Sequence, residues 1–297
     1  MGVRRRGDIA VIGLGNWGSS LAAALDAAGL LAGRVHPSRL QKLGPNSNTA
    51  LAARILWLCV PDAAIAGTAA WLAERHPDLS GQLVVHSSGA LDRSVLAPAE
   101  QAGARTASVH PMMSFPTRQV VPLSGVRFGV ETGDASTGRE LFSLIRRLGG
   151  HPFTINGSGK AMYHAGAMFG SPLLVAALDA GVRCMQEAGI EEKEALALLC
   201  PMAAATVANV QRQGLRRSFS GPIARGDAAT LKLHREALSR HPLIAQVYDA
   251  LARLAAEDLV SADGQDTLAT VERVLAKAPR AAKDDSGWKR SRKKSRQ

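Results

Sequence analysis

The sequence predicts an α/β domain with a doubly wound, mainly parallel sheet, followed by an all-α domain. Three observations carry this prediction. A glycine-rich turn follows the first apolar run, short apolar runs then alternate with alanine-rich helical stretches up to about residue 155, and nearly every later segment has helical periodicity. Alternating strands and helices are typical of a parallel sheet covered by helices, and 297 residues suffice for two domains.

The first elements are a strand, a tight turn and a helix. The strand covers Asp8 to Ile12 and ends at Gly13, and an alanine-rich helix then runs from Ser19 to Ala28 before Gly29 stops it. Short apolar runs predict further strands over Leu30–Val35, Ile55–Val60, Leu83–His86, Thr106–Val109, Val126–Val130 and Pro152–Ile155, with a helix near Gly138–Leu148.

The pattern becomes helical after Ile155. Helices are predicted over Ala161–Ala188, Glu191–Gln213, Ala228–Ser239 and Leu243–Ala256, with a last one from Gln265. We therefore expect an α/β domain over residues 7–155, an all-helical domain over residues 156–276, and a disordered basic tail over residues 277–297.

The formal charge of +11 is concentrated at the chain ends. Residues 279–297 hold eight Lys or Arg against two Asp, and Arg4, Arg5 and Arg6 add three positive charges, which leaves +2 for the rest. A charge of this distribution indicates a solvated tail rather than a nucleic-acid-binding face. Contact of the tail with RNA or anionic lipid stays open.

Targeting and cysteine patterns favour a cytoplasmic protein with no membrane partner. Asp8 interrupts the basic N-terminal run, no cleavage site follows it, and no segment approaches the roughly twenty apolar residues of a membrane span. Cys59, Cys184 and Cys200 are far apart without CxxC spacing, so we expect reduced, buried thiols and neither a disulfide nor a metal site.

The glycine-rich turn has the context of a dinucleotide site. Gly13, Gly15 and Gly18 form a GxGxxG motif between the first strand and its helix, with Asn16 and Trp17 inside it. The first glycine permits the turn, the second admits a pyrophosphate, and the third allows close packing of helix and strand. The phosphates then meet the helix N-terminus. The sequence therefore predicts a Rossmann domain that binds NAD(P).

The end of the second strand favours NADP over NAD. NAD sites usually place an Asp or Glu about 20 residues beyond the glycines to bind the ribose, and none is present here. His36, Ser38 and Arg39 offer a hydroxyl and cations that suit a 2′-phosphate. Surface arginines on a loop are the alternative, and NAD stays possible.

Two other strand ends are predicted to lie beside the nicotinamide. Ligands of doubly wound sheets bind at the carboxyl edge of the strands. Val60, Pro61 and Asp62 follow one strand and Ser87 and Ser88 another, and Ser88 is also a candidate substrate ligand.

Six motifs together resemble a known family. They are Gly13-Leu-Gly-Asn-Trp-Gly18, Val60-Pro-Asp62, Val85-His-Ser-Ser-Gly89, Val109-His-Pro-Met-Met-Ser-Phe115, Tyr163-His-Ala165 and Gly221-Pro-Ile-Ala-Arg-Gly-Asp227. In this order they are similar to bacterial proteins in which a Rossmann-like domain precedes a domain of unknown function numbered 2520, and the resemblance covers residues 7 to 275.

The resemblance implies an NAD(P)-dependent oxidoreductase with a helical C-terminal domain, often dimeric. That family is similar to pyrroline-5-carboxylate reductase, ketopantoate reductase, and the β-hydroxyacid and 6-phosphogluconate dehydrogenases. One departure puts activity in doubt. The helix after Tyr163 commonly carries Ser-Asn in the family, whereas this chain has Ser171-Pro172.

The candidate catalytic residues are Lys160, His164 and His110. Lys160 and His164 are four apart on one helix face, and their spacing is similar to the Lys-x-x-x-Asn pair of β-hydroxyacid dehydrogenases. We predict Lys160 as the proton donor and His164 as its partner or substitute. A solvent-exposed lysine with a packing histidine is the alternative. His110 follows a strand and is either a ligand or acid in the cleft or a structural histidine.

Arg225 and Asp227 are candidate substrate ligands in a Gly-Pro-rich loop, where an internal salt bridge would explain them equally well. Together these features predict an NADP(H)-preferring oxidoreductase, homodimeric through its helical domain, that acts on a small carboxylate-bearing substrate in the cleft between the domains. An NADP-binding regulator or scaffold without turnover is the alternative.

Overall fold

The computed structural model describes residues 7–36, 50–259 and 265–276, and the chain divides into two compact units between Leu174 and Val175. The first unit contains one sheet. Its strands are β1 Ile9–Ile12, β2 Leu31–Val35, β3 Ile55–Leu58, β4 Leu83–His86, β5 Arg105–Pro111, β6 Arg127–Thr132 and β7 His151–Thr154.

The sheet order is β2-β1-β3-β4-β5-β6-β7, and every neighbouring pair is parallel except the antiparallel pair β5 and β6. The predicted class, a mainly parallel α/β sheet followed by helices, is confirmed. The change from strands to helices comes after Thr154, next to the predicted boundary, although the first helix beyond it still lies in the first compact unit.

The helices of the first unit are α1 Asn16–Ala27, α2 Asp62–Arg75, α3 Ala97–Gln101, α4 Ala135–Arg147 and α5 Lys160–Phe169, with 3-10 turns over Arg93–Leu96 and Gly157–Gly159. The caps of α1 and α4 differ. Asp134 caps α4 by accepting from the backbone N–H groups of Ser136 and Thr137, whereas no side chain caps α1, which begins after Gly15. The N–H groups at the start of α1 are therefore left to another partner.

Both faces of the sheet are buried at the central strands β1, β3 and β4, as the continuous apolar runs predict. Ile9 and Val11 of β1 pack with Leu21 and Leu25 of α1 on one face. Their neighbours in β1 pack on the opposite face with apolar residues of α2. Alternate residues of one strand thus build two cores, and this double cover holds the strand ends in fixed positions.

The remaining helices are α6 Pro172–Glu187, α7 Glu192–Gln213, α8 Leu215–Ser218, α9 Ala228–Ala237, α10 Pro242–Asp258 and α11 Gln265–Ala276, with a 3-10 turn over Leu238–Arg240. The prediction of one helix over Ala161–Ala188 is wrong, because one helix ends at Phe169 and another begins at Pro172. Proline has no N–H for the helical ladder but is well suited to a first helical position, so Pro172 begins a new helix.

Helices α6 and α7 are apolar, and most of their side chains are exposed. By length and composition, Gly157–Glu187 and Glu192–Gln213 could each cross a membrane, and only 6% of the most apolar window of each is buried. The first segment contains both α5 and α6 and is interrupted between Phe169 and Pro172. The expectation that no segment approaches a membrane span is therefore wrong. Length and composition alone make two such segments weak evidence for a membrane protein.

The three cysteines are free, as expected, but none is fully buried. Cys59 and Cys184 are half-buried and Cys200 is exposed. The expectation of a buried thiol is wrong for Cys200, because α7, which carries it, turns apolar side chains outward.

Candidate functional site

The glycines of the first turn allow close backbone approach. Gly13 has φ +102°, which L side chains rarely adopt, and a Cβ there would lie 2.7 Å from the carbonyl carbon of Cys59. A Cβ on Gly18 would overlap the carbonyl oxygen of Gly13 and lie 2.9 Å from the Cβ of Cys59. Because these two glycines lack side chains, the turn after β1 can pack directly against Cys59, the residue that follows β3.

Gly15 serves another purpose, because it faces open space. It is exposed, and a Cβ added to it would meet no atom within 4 Å. It lies where the sheet order reverses, between β1 and β3, and ligands of doubly wound sheets bind at that reversal. The uncapped N-terminus of α1 supplies N–H groups and a positive dipole end there. The chain's own residues therefore fit a dinucleotide pyrophosphate.

Ser87 supports the glycine turn through two tryptophans. Its Oγ accepts hydrogen bonds from Nε1 of Trp17 and of Trp57, both at 2.8 Å. Asn16 donates from Nδ2 to the backbone oxygen of Phe115 at 2.8 Å, and the rings of Trp17 and Phe115 lie 5.1 Å apart. Ser87, Asn16 and Trp17 were predicted to touch the cofactor; in the structure their polar side-chain atoms hold the loop in shape.

Ser88 and Asp62 join the ends of β4 and β3. Ser88 donates from Oγ to Asp62 Oδ2 at 2.8 Å, accepts from the N–H groups of Ala90 and Leu91, and is only 4% exposed. Val60 and Pro61 precede Asp62, the first residue of α2, and Pro61 is exposed. The Ser88 hydroxyl is therefore bound within the protein rather than presented to a ligand.

The end of β2 is only partly described. His36 is exposed there, and Arg34 pairs with Asp26 of α1 at 3.0 Å. Ser38 and Arg39, on which the NADP preference depends, lie outside the described residues. The preference stays a prediction.

Lys160 is buried, with 1% of its surface exposed. Its Nζ donates to the backbone oxygen of Ser88 at 2.8 Å and to Ser108 Oγ. Burial lowers its pKa to about 8, opposed by the carboxylates of Glu131, Asp92 and Asp62. The predicted proton donor is thus a buried lysine, and the alternative of a solvent-exposed lysine is wrong.

The side chains of His110, Tyr163 and His164 meet at a pocket of about 680 Å³. His110 Nδ1 lies 2.8 Å from the Tyr163 hydroxyl, and the His110 and His164 rings meet edge to face at 5.8 Å. Burial, with help from His164 and Lys160, lowers the pKa of His110 to about 4, and burial raises the pKa of Tyr163 to about 12. Both groups are therefore neutral at pH 7, and the Tyr163 hydroxyl holds a proton that it can donate.

Two family models match the chain. A Rossmann-like domain matches residues 2–111, and a domain of unknown function, DUF2520, matches residues 126–255. The chain thus contains a Rossmann-like domain followed by a DUF2520 domain. The DUF2520 match begins before β6, so this domain model includes the last two strands of the sheet as well as the helices.

Solved structures share the fold of this DUF2520 protein. A Bacteroides fragilis protein described provisionally as an NADP oxidoreductase has a TM-score of 0.68 at 18% identity, over 86% of this chain and 100% of that chain. An imine reductase from Pseudomonas sp. has a TM-score of 0.63 at 20% identity, over 92% of this chain and 99% of that chain. A reductive aminase from Aspergillus terreus, in complex with NADPH and ethyl-5-oxohexanoate, has a TM-score of 0.56 at 17% identity, over 91% of this chain and 94% of that chain. No curated protein matches the sequence significantly.

Arg225 and Asp227 of the DUF2520 protein lie in the second compact unit. Asp227 caps α9, since its carboxylate accepts from the backbone N–H of Thr230 at 3.1 Å and from Thr230 Oγ1 at 2.7 Å. Arg225 is exposed. The hydrogen bonds from Thr230, with a smaller contribution from the charge of Arg225, lower the pKa of Asp227, so this carboxylate serves mainly as a helix cap.

Sequence reasoning missed two residues of the site. Tyr163 belongs to a motif of the family resemblance, and the sequence assigns it no chemical role, although it lies three residues after Lys160 and so on the same helix face. Ser108 lies two residues before His110 in β5, on the same face of the strand. Both could have been found by applying the periods of helix and strand to the residues already singled out.

His86 completes the buried surroundings of Lys160. It is fully buried, its Nδ1 accepts from the Ser88 N–H at 3.2 Å, and its Nε2 has no hydrogen-bond partner among the described residues. Burial and the charge of Lys160 lower its pKa to about 4, so the ring is neutral at pH 7.

Proposed function

We propose that this DUF2520 protein is an NADP(H)-dependent oxidoreductase that acts on a small carbonyl or imine compound in the pocket of His110, Tyr163 and His164. The observation that carries the proposal is the open space over Gly15 at the uncapped start of α1. One loop connects it to the pocket, because Ser114 lines the pocket and the next residue, Phe115, contacts Asn16 and Trp17.

The residues divide into a cofactor set and a substrate set. Gly13, Gly15 and Gly18, with the N–H groups of α1, would hold the pyrophosphate. A bound nicotinamide supplies or accepts a hydride. The pocket side chains then hold the substrate and exchange a proton with it, for which neutral histidine and tyrosine side chains are suited.

The finer features of this function rest on separate residues. Preference for NADP rests on Ser38 and Arg39 and on the absence of an acidic residue after β2 in the sequence. A carboxylate on the substrate stays a prediction from the sequence, since the described residues that line the pocket include neither Lys nor Arg.

The test is cofactor binding followed by turnover. Quenching of tryptophan fluorescence on titration with NADPH and NADH reports binding beside Trp17, and we expect tighter binding of NADPH. Oxidation of bound NADPH is then followed against a panel of keto acids and cyclic imines, with turnover of at least one compound expected. If neither nucleotide binds, the proposal is wrong.

A second function, an NADP-binding regulator, is favoured by the burial of Lys160 and by Pro172 in place of the asparagine common in the family. Tight NADPH binding without oxidation by any compound of the panel, at any pH at which the protein is folded, would support it.

We propose a homodimer that forms through the helical unit and a cytoplasmic location without a membrane partner. Val175 of α6 and Met202 and Val207 of α7 are 65%, 61% and 47% exposed, and large exposed apolar patches mark interfaces. Sedimentation velocity should give twice the chain mass of 31.2 kDa, and M202E/V207E should give the monomer. A protein that stays in solution only with detergent would contradict the proposal.

A further inference from the structure

Lys160 joins three elements beneath the pocket. As the first residue of α5 it donates to the backbone oxygen of Ser88, which follows β4, and to Ser108 Oγ of β5. With 1% exposure it is closed to solvent. Burying an ammonium group is costly unless its hydrogen bonds are satisfied, so these two acceptors fix the start of α5 in one position.

This anchor sets the position of the rings that face the pocket. Ser108 and His110 share a face of β5, and Lys160, Tyr163 and His164 share a face of α5. Binding Lys160 to Ser108 therefore places Tyr163 beside His110, with 2.8 Å between the hydroxyl and Nδ1.

Gly89 completes the close packing on the other side. A Cβ there would lie 2.8 Å from His110 Nε2 and would overlap the His164 ring. The loop after β4 can approach both rings only because this residue has no side chain. The histidines are thus held from the strand, the helix and the loop.

We propose that Lys160 is a positioning residue, and that Tyr163 and His110 form the proton-donating pair of the pocket. The inference rests on the proposed oxidoreductase function. When the carbon of a C=N or C=O bond accepts the hydride that the nicotinamide would supply, a C–H bond forms and the π electron pair passes to the heteroatom. The Tyr163 O–H bond then breaks and its proton bonds to that heteroatom. The Nδ1–H group of His110 stays on its ring and donates a hydrogen bond to the phenolate oxygen, and a proton taken up from solvent restores the Tyr163 hydroxyl.

The charges around the pair agree with these roles. Lys160 faces the carboxylates of Glu131, Asp92 and Asp62, which favour its charged form. It also faces His86, whose pKa is lowered first by burial and then by the charge of Lys160. For His110, burial, His164 and Lys160 lower the pKa and Asp62 raises it. A neutral ring can carry its proton on Nδ1, and a hydrogen bond from that N–H to the phenolate favours ionisation of Tyr163, against the burial that raises its pKa.

The first test needs neither cofactor nor substrate. Ring ¹⁵N shifts of the histidines, followed against pH in the wild-type protein and assigned with His110→Gln, should show His110 neutral down to about pH 5 with its proton on Nδ1. Tyr163→Phe should move the His110 signals. Tyr248→Phe, the matched control, should move those of His234, whose Nδ1 lies 2.9 Å from the Tyr248 hydroxyl. An ordinary pKa near 6.5 for His110, or a proton on Nε2, would overturn the pair.

The second test separates the anchor from the acid. Lys160→Met should raise the pKa of His110 and change its signals, whereas Lys193→Met, at an exposed lysine of α7, should not. Ser108→Ala removes one partner only and replaces Lys160→Met if that variant does not fold. Unchanged His110 signals in the variant that folds would overturn the anchoring role.

Kinetics then assign the proton. In single turnover of NADPH with pyrroline as the probe imine, Tyr163→Phe should slow oxidation by about 10²- to 10⁴-fold, with the Kd for NADPH within about twofold of wild type. Two outcomes would return the donor role to Lys160. One is a wild-type rate in Tyr163→Phe, and the other is a loss of rate in Lys160→Met as large as that in Tyr163→Phe while the His110 signals stay normal. Failure of the wild type to bind NADPH contradicts the proposed function and leaves the ¹⁵N result to decide the pair.

Discussion

Replacing Gly15 with valine is expected to weaken NADPH binding by about 100-fold or more while the protein stays folded. The backbone there has φ −71° and ψ −165°, which any residue can adopt, and a Cβ would meet no protein atom within 4 Å. The new side chain therefore fills the space over the start of α1 without disturbing the fold. Tryptophan fluorescence gives the Kd for NADPH, and urea unfolding gives the stability.

Two other glycines provide the contrast. Gly18→Ala should destabilise the protein, because its Cβ would overlap the carbonyl oxygen of Gly13. Gly67 lies exposed within α2 with no atom near its Cβ position, so Gly67→Ala should leave binding unchanged and stabilise the fold by about 0.5–1 kcal/mol. Wild-type affinity in Gly15→Val would show that the cofactor does not bind at the start of α1.

The strands were predictable where local sequence determines them. Leu83–His86 is found with both predicted ends, because an apolar run with polar residues on each side has few other ways to bury itself in a parallel sheet. The prediction of one long helix over Ala161–Ala188 is wrong at Pro172, a residue that indicates the interruption in the sequence itself. Proline disrupts the interior of a helix, so Pro172 favours a helix boundary even though the apolar periodicity continues past it.

The site was predictable as a set of residues but not as a set of roles. Polar residues at strand ends can face a ligand or one another, and contacts distant in sequence decide between the two. Ser88 pairs with Asp62 across 26 residues, and Lys160 pairs with Ser108 across 52. Tyr163 meets His110 across 53 residues. No local pattern contains these separations, so only the folded chain shows that Lys160 and Ser88 are internal while Tyr163 faces the pocket.

Replacing Asp249 with asparagine is expected to lower the free energy of unfolding by about 3–5 kcal/mol. Arg235 Nη1 of α9 lies 2.7 Å from Asp249 Oδ2 of α10, and the two side chains are 9% and 13% exposed. Arg235 also donates from Nη2 to the backbone oxygen of Leu275 in α11. The substitution leaves a buried guanidinium group without its counter-charge, which urea denaturation of the whole protein should report.

The same pair should be dispensable when both charges are removed together. Burial opposes ionisation of Asp249 strongly enough to raise its pKa despite the neighbouring Arg235, so the attraction within the pair only offsets the cost of desolvation. Arg235→Met combined with Asp249→Leu should therefore recover most of the stability that Asp249→Asn loses. Glu236→Gln, which breaks the exposed pair with Lys232 on the same helix, should change stability by less than about 0.5 kcal/mol. A loss of similar size in the double variant and in Asp249→Asn would mean that the ion pair itself, rather than the need to avoid an unpaired buried charge, holds the three helices together.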